Sequence, residues 1–417
     1  MASPRFAVLC AAFAFIVPAS LSAQAPRPLT LQQALQRSLA ANPRLPIAER
    51  NVGMSEGRQQ QAGMYPNPSV SFEIDHALAA GRSSETTLQL SQLVELAAKR
   101  DARVSAALAD YDATRYQQAA VRLELLSDVA VAFVAVLSAQ QRVQLFDRQI
   151  TALERLVPLM QRRVEAGASS PADVSRTQVA IGLARIDRER AKTSLAAARR
   201  DLAAQLATTA PDFTAVAGEF GRVAKPPAFS SILEAIERNP QLLRWTAVRA
   251  QRDAEALSAR LKPVPDLQAS IGWRHYADNN TNGVRFGVAV PIPAWDRNQG
   301  AIREAQEAAA KTEAERAANR LTLIAIVGRA YDTLNGALQE IDLLRRAIIP
   351  DAHKTFAIIE DGYGQGRFTV LDVLDAYRVV TEAELREQEA LQAFHVAVAT
   401  IEGLTGSPLT LAGGRPR

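Results

Sequence analysis

Asp372 and Asp375 are the side chains whose type and spacing best suit chemistry in this chain. Three residues apart on a helix, they share one face a turn apart, a strip of negative charge that would attract cations. A helix start also favours acidic residues through its dipole, so the pair suits an ordinary solvated N-terminus as well. The other candidates fail on spacing. The four histidines, His76, His275, His353 and His395, fall in unlike elements without ligand spacing. Asp278 to Gly283 imitates the start of a calcium loop, but Ala289 stands where the bidentate Glu belongs. Asn282-Gly283 there suits a hairpin turn better. Gly362-Tyr363-Gly364-Gln365-Gly366 follows a helix and lacks dinucleotide-binding spacing, which leaves a helix-to-helix turn. No catalysis, metal site or cofactor is expected from these residues.

The elements that position the aspartates occur twice. Asn42-Pro43 recurs as Asn239-Pro240, and Pro66-Asn67-Pro68 as Pro263-Val264-Pro265, both 197 residues on. Gly167 and Asp173-Val174 recur as Gly366 and Asp372-Val373, 199 residues on. Matched spacing of unlike elements predicts two structural copies of one unit. Asp173 is thus the first-copy counterpart of Asp372, whereas Arg176 stands opposite Asp375 and Val164 opposite Tyr363. An Arg176-to-aspartate contact is the expected consequence of this broken equivalence.

In each copy the period of apolar residues changes along the chain. Thr30 to Ala41 predicts a short helix, Asn42-Pro43 a break, and the stretch to about Tyr65 a second helix. Val70, Phe72 and Ile74 then alternate with Ser71, Glu73 and Asp75, and Leu88 and Leu90 with Gln89 and Ser91. The second copy alternates through Leu267 to Trp273 and through Val284 to Ile292. Period two with charges on the other face predicts strands, in a half-buried sheet or a lipid-facing wall. Four strands cannot close a barrel, since small closed barrels have about 8. Long helices follow, about Ala97 to Glu165 with Pro158 inside, and about Ala301 to Glu360. At 1.5 Å per residue each is roughly 100 Å long. The helix before the strands and the helix Pro171 to Leu206 together nearly match that length, so two short helices laid end to end beside one long helix make a rod. The helices are rich in Ala, as in Ala196-Ala197-Ala198, and predict a thin wall without a thick core.

Arg5, the apolar run Phe6 to Val17 and the small residues Ala19 to Ala23 have the order of a secretory signal, expected to be cut after Ala23. Cys10, the sole cysteine, lies inside that run, poorly placed for lipidation, so the mature chain would carry no cysteine. The expected organisation is a signal peptide at 1–23, a first repeat at 24–225, a second at 226–410 and a tail at 411–417. Hydrophobic residues make up 48% and charged residues 22%, with a net charge of +4 spread along helices, as in Arg185-Ile186-Asp187-Arg188, which excludes a nucleic-acid surface. No run after the signal reaches the about 20 apolar residues of a membrane helix. A membrane-spanning form would have to use the strands.

Tyr363-x-x-Gly366 followed by Asp372-Val373-Leu374-Asp375-Ala376 resembles the TolC-type outer-membrane efflux channels. Tyr65-Pro66-Asn67-Pro68, Glu85 to Gln92 leading to Lys99-Arg100, and Asp296 to Gly300 are similar to the cobalt–zinc–cadmium efflux group within them. The resemblance covers essentially the whole mature chain. Where relatives in that group commonly carry two glycines before Lys-Arg, this chain has Ala97-Ala98. The resemblance implies a mainly α chain with a small β part. As a homotrimer it would build a 12-stranded barrel in outer-membrane lipid and an α-helical tunnel across the periplasm. It also implies a periplasmic adaptor docked at the Gly167 and Gly366 tips, and an inner-membrane resistance-nodulation-division pump that supplies the energy. The matching aspartates, with Tyr363, Asp173 and Arg176 beside them, would form a periplasmic gate. Heavy-metal cations (cobalt, zinc, cadmium, copper or silver) are the expected cargo. A multidrug or type I secretion channel is the nearest alternative, and a soluble periplasmic coiled-coil adaptor or scaffold the alternative of another class.

Overall fold

The computed structural model describes residues 28–75 and 84–409. The expected signal peptide, residues 76–83 with His76, and the expected tail lie outside the described residues.

Each copy begins with two helices joined through Asn-Pro. Thr30 caps α1 (Leu31–Ala41) through a reciprocal capping box with Gln33. Asn42-Pro43 then turns the chain into α2 (Arg44–Ala62), which ends before the expected Tyr65. The second copy repeats this with α5 (Phe229–Ile236) and α6 (Pro240–Leu261), where Asn239 is the N-cap and Pro240 the first helical residue. The buried Asn42 amide donates to the Gln205 carbonyl at 2.9 Å, and the buried Asn239 amide to the Leu404 carbonyl at 2.6 Å. Those carbonyls end the returning helices α4 (Pro171–Gln205) and α9 (Val370–Thr405). The Asn-Pro repeat therefore splices the returning helix to the short upper helix, the end-to-end stacking the lengths predict.

The strands β2 (Ser69–Asp75), β3 (Glu85–Val94), β5 (Leu267–Tyr276) and β6 (Thr281–Ala289) form one antiparallel sheet in the order β2-β3-β5-β6. Asn282-Gly283 is not the hairpin turn. Both residues pair within β6, against His275 and Arg274, and the chain reverses earlier, at Asn280 with φ +50°. Asn is among the few residues with a side chain that visit the left-handed region, and this one sits at the reversal.

The first long helix, α3 (Lys99–Glu165), is continuous through Pro158. Its counterpart is not. A π-turn (Leu344–Ile348) divides it into α7 (Gln299–Leu343) and α8 (Ile349–Gly364). Pro350 lacks the N–H for an ordinary helical bond, and the Ile349 amide reaches back five residues to the Leu344 carbonyl.

Neighbouring elements follow one order at every height. The sheet runs β2-β3-β5-β6, the helices nearest it run α2-α3-α6-α7, and those nearest the Gly turns run α4-α3-α9-α8. First-copy elements lie at one edge and second-copy elements at the other throughout. The wall is thin except at mid-height, where Leu125, Phe133, Val136, Leu334 and Phe394 bury together with Phe213, Val216 and Phe220 of the inter-repeat segment. That segment also supplies β4 (Val216–Ala217), which pairs in parallel with β1 (Leu29–Thr30). The sequence pattern does not announce this band, because two-residue strands carry no periodicity. A second apolar cluster fills the tips, around Ile150, Met160, Ile181, Tyr363 and Val373.

Candidate functional site

The two tips are built alike. Gly167 (φ +68°) and Gly366 (φ +78°) end their helices in the left-handed conformation. In each turn the next residue's amide, of Ala168 or Arg367, bonds back to Arg163 or Gly362. This closing turn favours glycine because no Cβ meets the following carbonyl. Ser170 then caps α4 and Thr369 caps α9.

Between the tips, the two copies are tied together. Tyr363 is buried, with the Arg163 guanidinium 4.5 Å above its ring and donating to its carbonyl. The Tyr363 hydroxyl lies 3.5 Å from the Ser169 hydroxyl, which donates to Asp173 at 2.7 Å. Tyr363 and Asp173 thus belong to one cross-copy cluster. Arg176 belongs to it too, but it pairs with Asp173 on its own helix at 3.3 Å. The aspartate it holds is therefore the one three residues before it, reached by the i, i+3 geometry of a single helix turn. Arg163 and Ser169 were missed from the sequence, because nothing local marks an arginine that serves the other repeat.

Asp372 and Asp375 project from the first turns of α9, both charged groups at the surface. The Asp372 carboxylate accepts from the Thr369 hydroxyl and amide, both at 2.7 Å. Those bonds favour the ionised form and hold its pKa below the usual aspartate value. Asp375 accepts from Arg378 at 2.8 Å, and a ladder continues through Glu382 to Arg386. Asp375 is thus paired within its own helix, whereas Asp372 has no cationic partner among the described residues.

At the opposite end, the sheet sorts its faces strictly. Register aligns Phe72, Leu88, Trp273 and Val284 in one row, and Val70, Leu90, Ile271 and Phe286 in the next. All eight are exposed, up to 76% for Phe286. The other face carries Ser71, Gln89, Gly272 and Arg285 in one row and Glu73, Thr87 and Arg274 in another. Arg274 bridges Glu85 at 2.8 Å and donates to Thr87 at 3.1 Å. Among the described residues both edge strands lack a partner on their outer side. Where β3 enters α3, Arg103 donates to Glu95 and holds its carboxyl below the ordinary range. Asp266 stays low as well: burial would raise it, but Lys99 at 2.8 Å and the Leu96 amide outweigh that. Ala97 and Ala98 at this elbow have φ of +57° and +55°.

Among the described residues no group of three His, Cys, Asp or Glu could hold a metal ion, and no helix is long and apolar enough to cross a membrane. The sheet is the element whose surface suits lipid.

Known proteins agree with this architecture. The chain is 30% identical over 404 residues to the cobalt-zinc-cadmium resistance protein CzcC of Cupriavidus metallidurans, covering 97% of this chain and 96% of the relative. It is 23% identical to the nickel-cobalt-cadmium resistance protein NccC of Alcaligenes xylosoxydans xylosoxydans, over 73% of this chain and 70% of that one. A solved structure of CusC, described in terms of folding and transmembrane channel formation, superposes with a TM-score of 0.77 at 17% identity, covering 90% of this chain and 92% of that one. The outer membrane efflux protein profile matches twice, at residues 34–208 and 232–407. With an exposed apolar sheet, a tunnel-forming set of helices and two family matches spanning most of its length, the chain belongs to the outer membrane efflux protein family, the channels of the outer membrane that extend into the periplasm.

Proposed function

We propose that this channel is the passive exit duct of a three-component export system for heavy-metal cations. Three copies would join their sheets edge to edge into a 12-stranded barrel. The observation that carries this reading is the sheet itself: four strands, two open edges, one face apolar and exposed, the other polar. Such a sheet is satisfied in lipid only by closure with other copies, because open edges in hydrocarbon leave backbone groups unpaired. The heavy-metal cargo rests on the likeness to CzcC along nearly the whole chain. The α-helical tips, with their Gly167 and Gly366 turns, are the natural contact for a periplasmic adaptor, and a pump in the inner membrane supplies the energy.

Asp372 and Asp375 form the cation-attracting constriction in this reading, with Tyr363, Asp173 and Arg176 holding the neighbouring tip. In planar bilayers, Asp372→Ala combined with Asp375→Ala should raise single-channel conductance and reduce cation preference. Unchanged conductance and selectivity would remove the gate assignment. For cargo, a strain lacking this protein should lose tolerance to zinc, cadmium or cobalt. Sensitivity confined to drugs would favour the multidrug alternative.

A further inference from the structure

On the helix side of the sheet, the apolar stripe does not stop where strand pairing stops. Val284, Phe286 and Val288 belong to β6, and the alternation runs on through Val290 and Ile292 into the link to α7. All five are exposed, Ile292 by 85%, and Trp295 a little further on by 92%. From Val284 to Ile292 the extended chain runs about 27 Å, or about 21 Å of height at the usual tilt of barrel strands. The apolar band of an outer-membrane barrel is about 25 Å tall. Ile292 and Trp295 therefore stand at its lower boundary, beside the periplasmic helices. Prolines mark the same level: Pro66 and Pro68 precede β2, Pro263 and Pro265 precede β5, and Pro291 and Pro293 follow β6. Each lacks the N–H that a chain leaving its ladder would otherwise carry unpaired against lipid.

A groove of about 640 Å³ opens at this level, between the link into β5 and the link out of β6. Leu93, Val264, Val290 and Ile292 give it apolar walls, and Lys262 is among its lining residues. Both of its carboxylates are engaged: Asp266 accepts from Lys99 at 2.8 Å, and Asp296 from the Asn298 amide at 2.8 Å. Lys262 and Arg297 are exposed, and neither has a carboxylate partner among the described residues. Lys99 neutralises Asp266, so Lys262 and Arg297 outnumber Asp296 and the rim carries net positive charge. The first copy holds similar side chains at this height. Tyr65, in the place equivalent to Lys262, is exposed, with the Arg100 guanidinium 4.4 Å from its ring centre.

We propose that this groove binds the headgroup of an anionic phospholipid of the periplasmic leaflet. Lys262 and Arg297 take the phosphate, and Ile292 and Trp295 meet the acyl chains. The occupant is lipid because the apolar wall of the groove is continuous with the sheet face that suits hydrocarbon. It is anionic because the rim is positive, and each Lys or Arg near a membrane surface adds attraction to acidic headgroups. Trp295 suits such a boundary, since an indole is apolar over its ring and polar at its N–H. This inference rests on the sheet lying in the outer membrane and adds what the channel recognises there.

The test titrates full-length protein, purified in a non-ionic detergent, with phosphatidylglycerol, phosphatidylcholine or inorganic phosphate, and counts bound molecules by native mass spectrometry. Wild type should retain one phosphatidylglycerol per copy of the chain, more tightly than phosphatidylcholine. Lys262→Gln combined with Arg297→Gln should weaken phosphatidylglycerol by about fivefold for each charge removed and leave phosphatidylcholine unchanged. Trp295→Ala should weaken both lipids. Arg190→Gln, remote on α4, should weaken neither. Equal affinity of wild type for the two lipids overturns the site, and this comparison stands whether or not a variant folds. A double variant that holds phosphatidylglycerol as tightly as wild type overturns it as well. Inorganic phosphate that displaces phosphatidylglycerol at equal concentration makes this a phosphate site and overturns the lipid. Wild-type protein recovered outside outer-membrane fractions overturns the membrane reading itself, which separates the two failures.

Discussion

Ala97 and Ala98 are held in a conformation that costs an L-residue with a side chain about 1–2 kcal/mol each. They stand where similar efflux channels commonly carry two glycines, and their positive φ supplies the physical reason: the four-residue link from β3 to α3 turns sharply through these two left-handed residues. Ala98→Gly should therefore stabilise the folded chain by about 1 kcal/mol, after the entropy glycine costs in the unfolded state. A higher urea midpoint of the detergent-solubilised protein checks this; an unchanged or lower midpoint contradicts it. Asp372 supports a second prediction at this scale. Its folded pKa is depressed by the Thr369 bonds, so its contribution to stability is complete above the unfolded value, about 3.9, and is lost as pH falls through the lower folded value. The same depression keeps it charged where an ordinary carboxylate is already half neutral. Cation preference measured in bilayers should thus persist to lower pH in wild type than in Asp372→Asn. His395 has the opposite chemistry with the same sign of linkage. Burial against Phe394 and Phe220 pushes its pKa down, and its Nε2 lies 2.8 Å from the Phe220 carbonyl. Its contribution is complete above the unfolded value, about 6.5, and declines as pH falls towards the folded value. Unfolding midpoints compared between wild type and His395→Gln should diverge least at acid pH.

At the scale of elements, the Asn-Pro repeat is the joint that makes two rods from five helices and a split sixth. Asn42 and Asn239 occupy the same place in the two copies and donate to equivalent carbonyls, so Asn42→Ala and Asn239→Ala should cost similar amounts. Each loses a buried amide's bond and the cap it gives the next helix, about 1–3 kcal/mol by general experience, while the Gln205 carbonyl keeps a second donor in the Ser38 hydroxyl at 2.9 Å. Thermal midpoints that differ widely between the two variants would refute the equivalence. This joint was legible in the sequence because Asn before Pro is a helix start with its own cap, and the 197-residue offset places it twice. The strands were legible for a similar reason, as period-two alternation is a local signal. The π-turn was not, although Pro350 is plain to see. Pro158 sits in α3 without breaking it, and whether a proline widens the next turn depends on packing that no single position encodes. The acidic pair Asp372 and Asp375 was legible in type and spacing. The contacts of Tyr363 were not, since Arg163 and Ser169 reach it across nearly 200 residues, and Arg176 pairs with the aspartate nearest to it.

For the whole molecule, the decisive property is that one apolar face of the sheet is left uncovered among the described residues and suits lipid. The rows Phe72-Leu88-Trp273-Val284 and Val70-Leu90-Ile271-Phe286 alternate, residue by residue, with a wet face carrying Arg274 and Arg285. A soluble scaffold of the same helices would bury those rows on a helix or a second sheet, and within the described residues neither lies over them. The two faces therefore predict opposite tolerance to charge. Phe286→Arg places a cation in the apolar band and should cost about 2–4 kcal/mol near its middle, enough to reduce outer-membrane insertion sharply. Gln89→Arg adds the same charge to the wet face, where water remains available, and should leave insertion intact while changing conductance in bilayers. The comparison is informative because both positions are in strands, in adjacent rows, and differ only in the direction of the side chain. Equal tolerance of the two substitutions, judged by the amount of assembled protein in outer-membrane fractions, would mean that the sheet is not a lipid-facing wall.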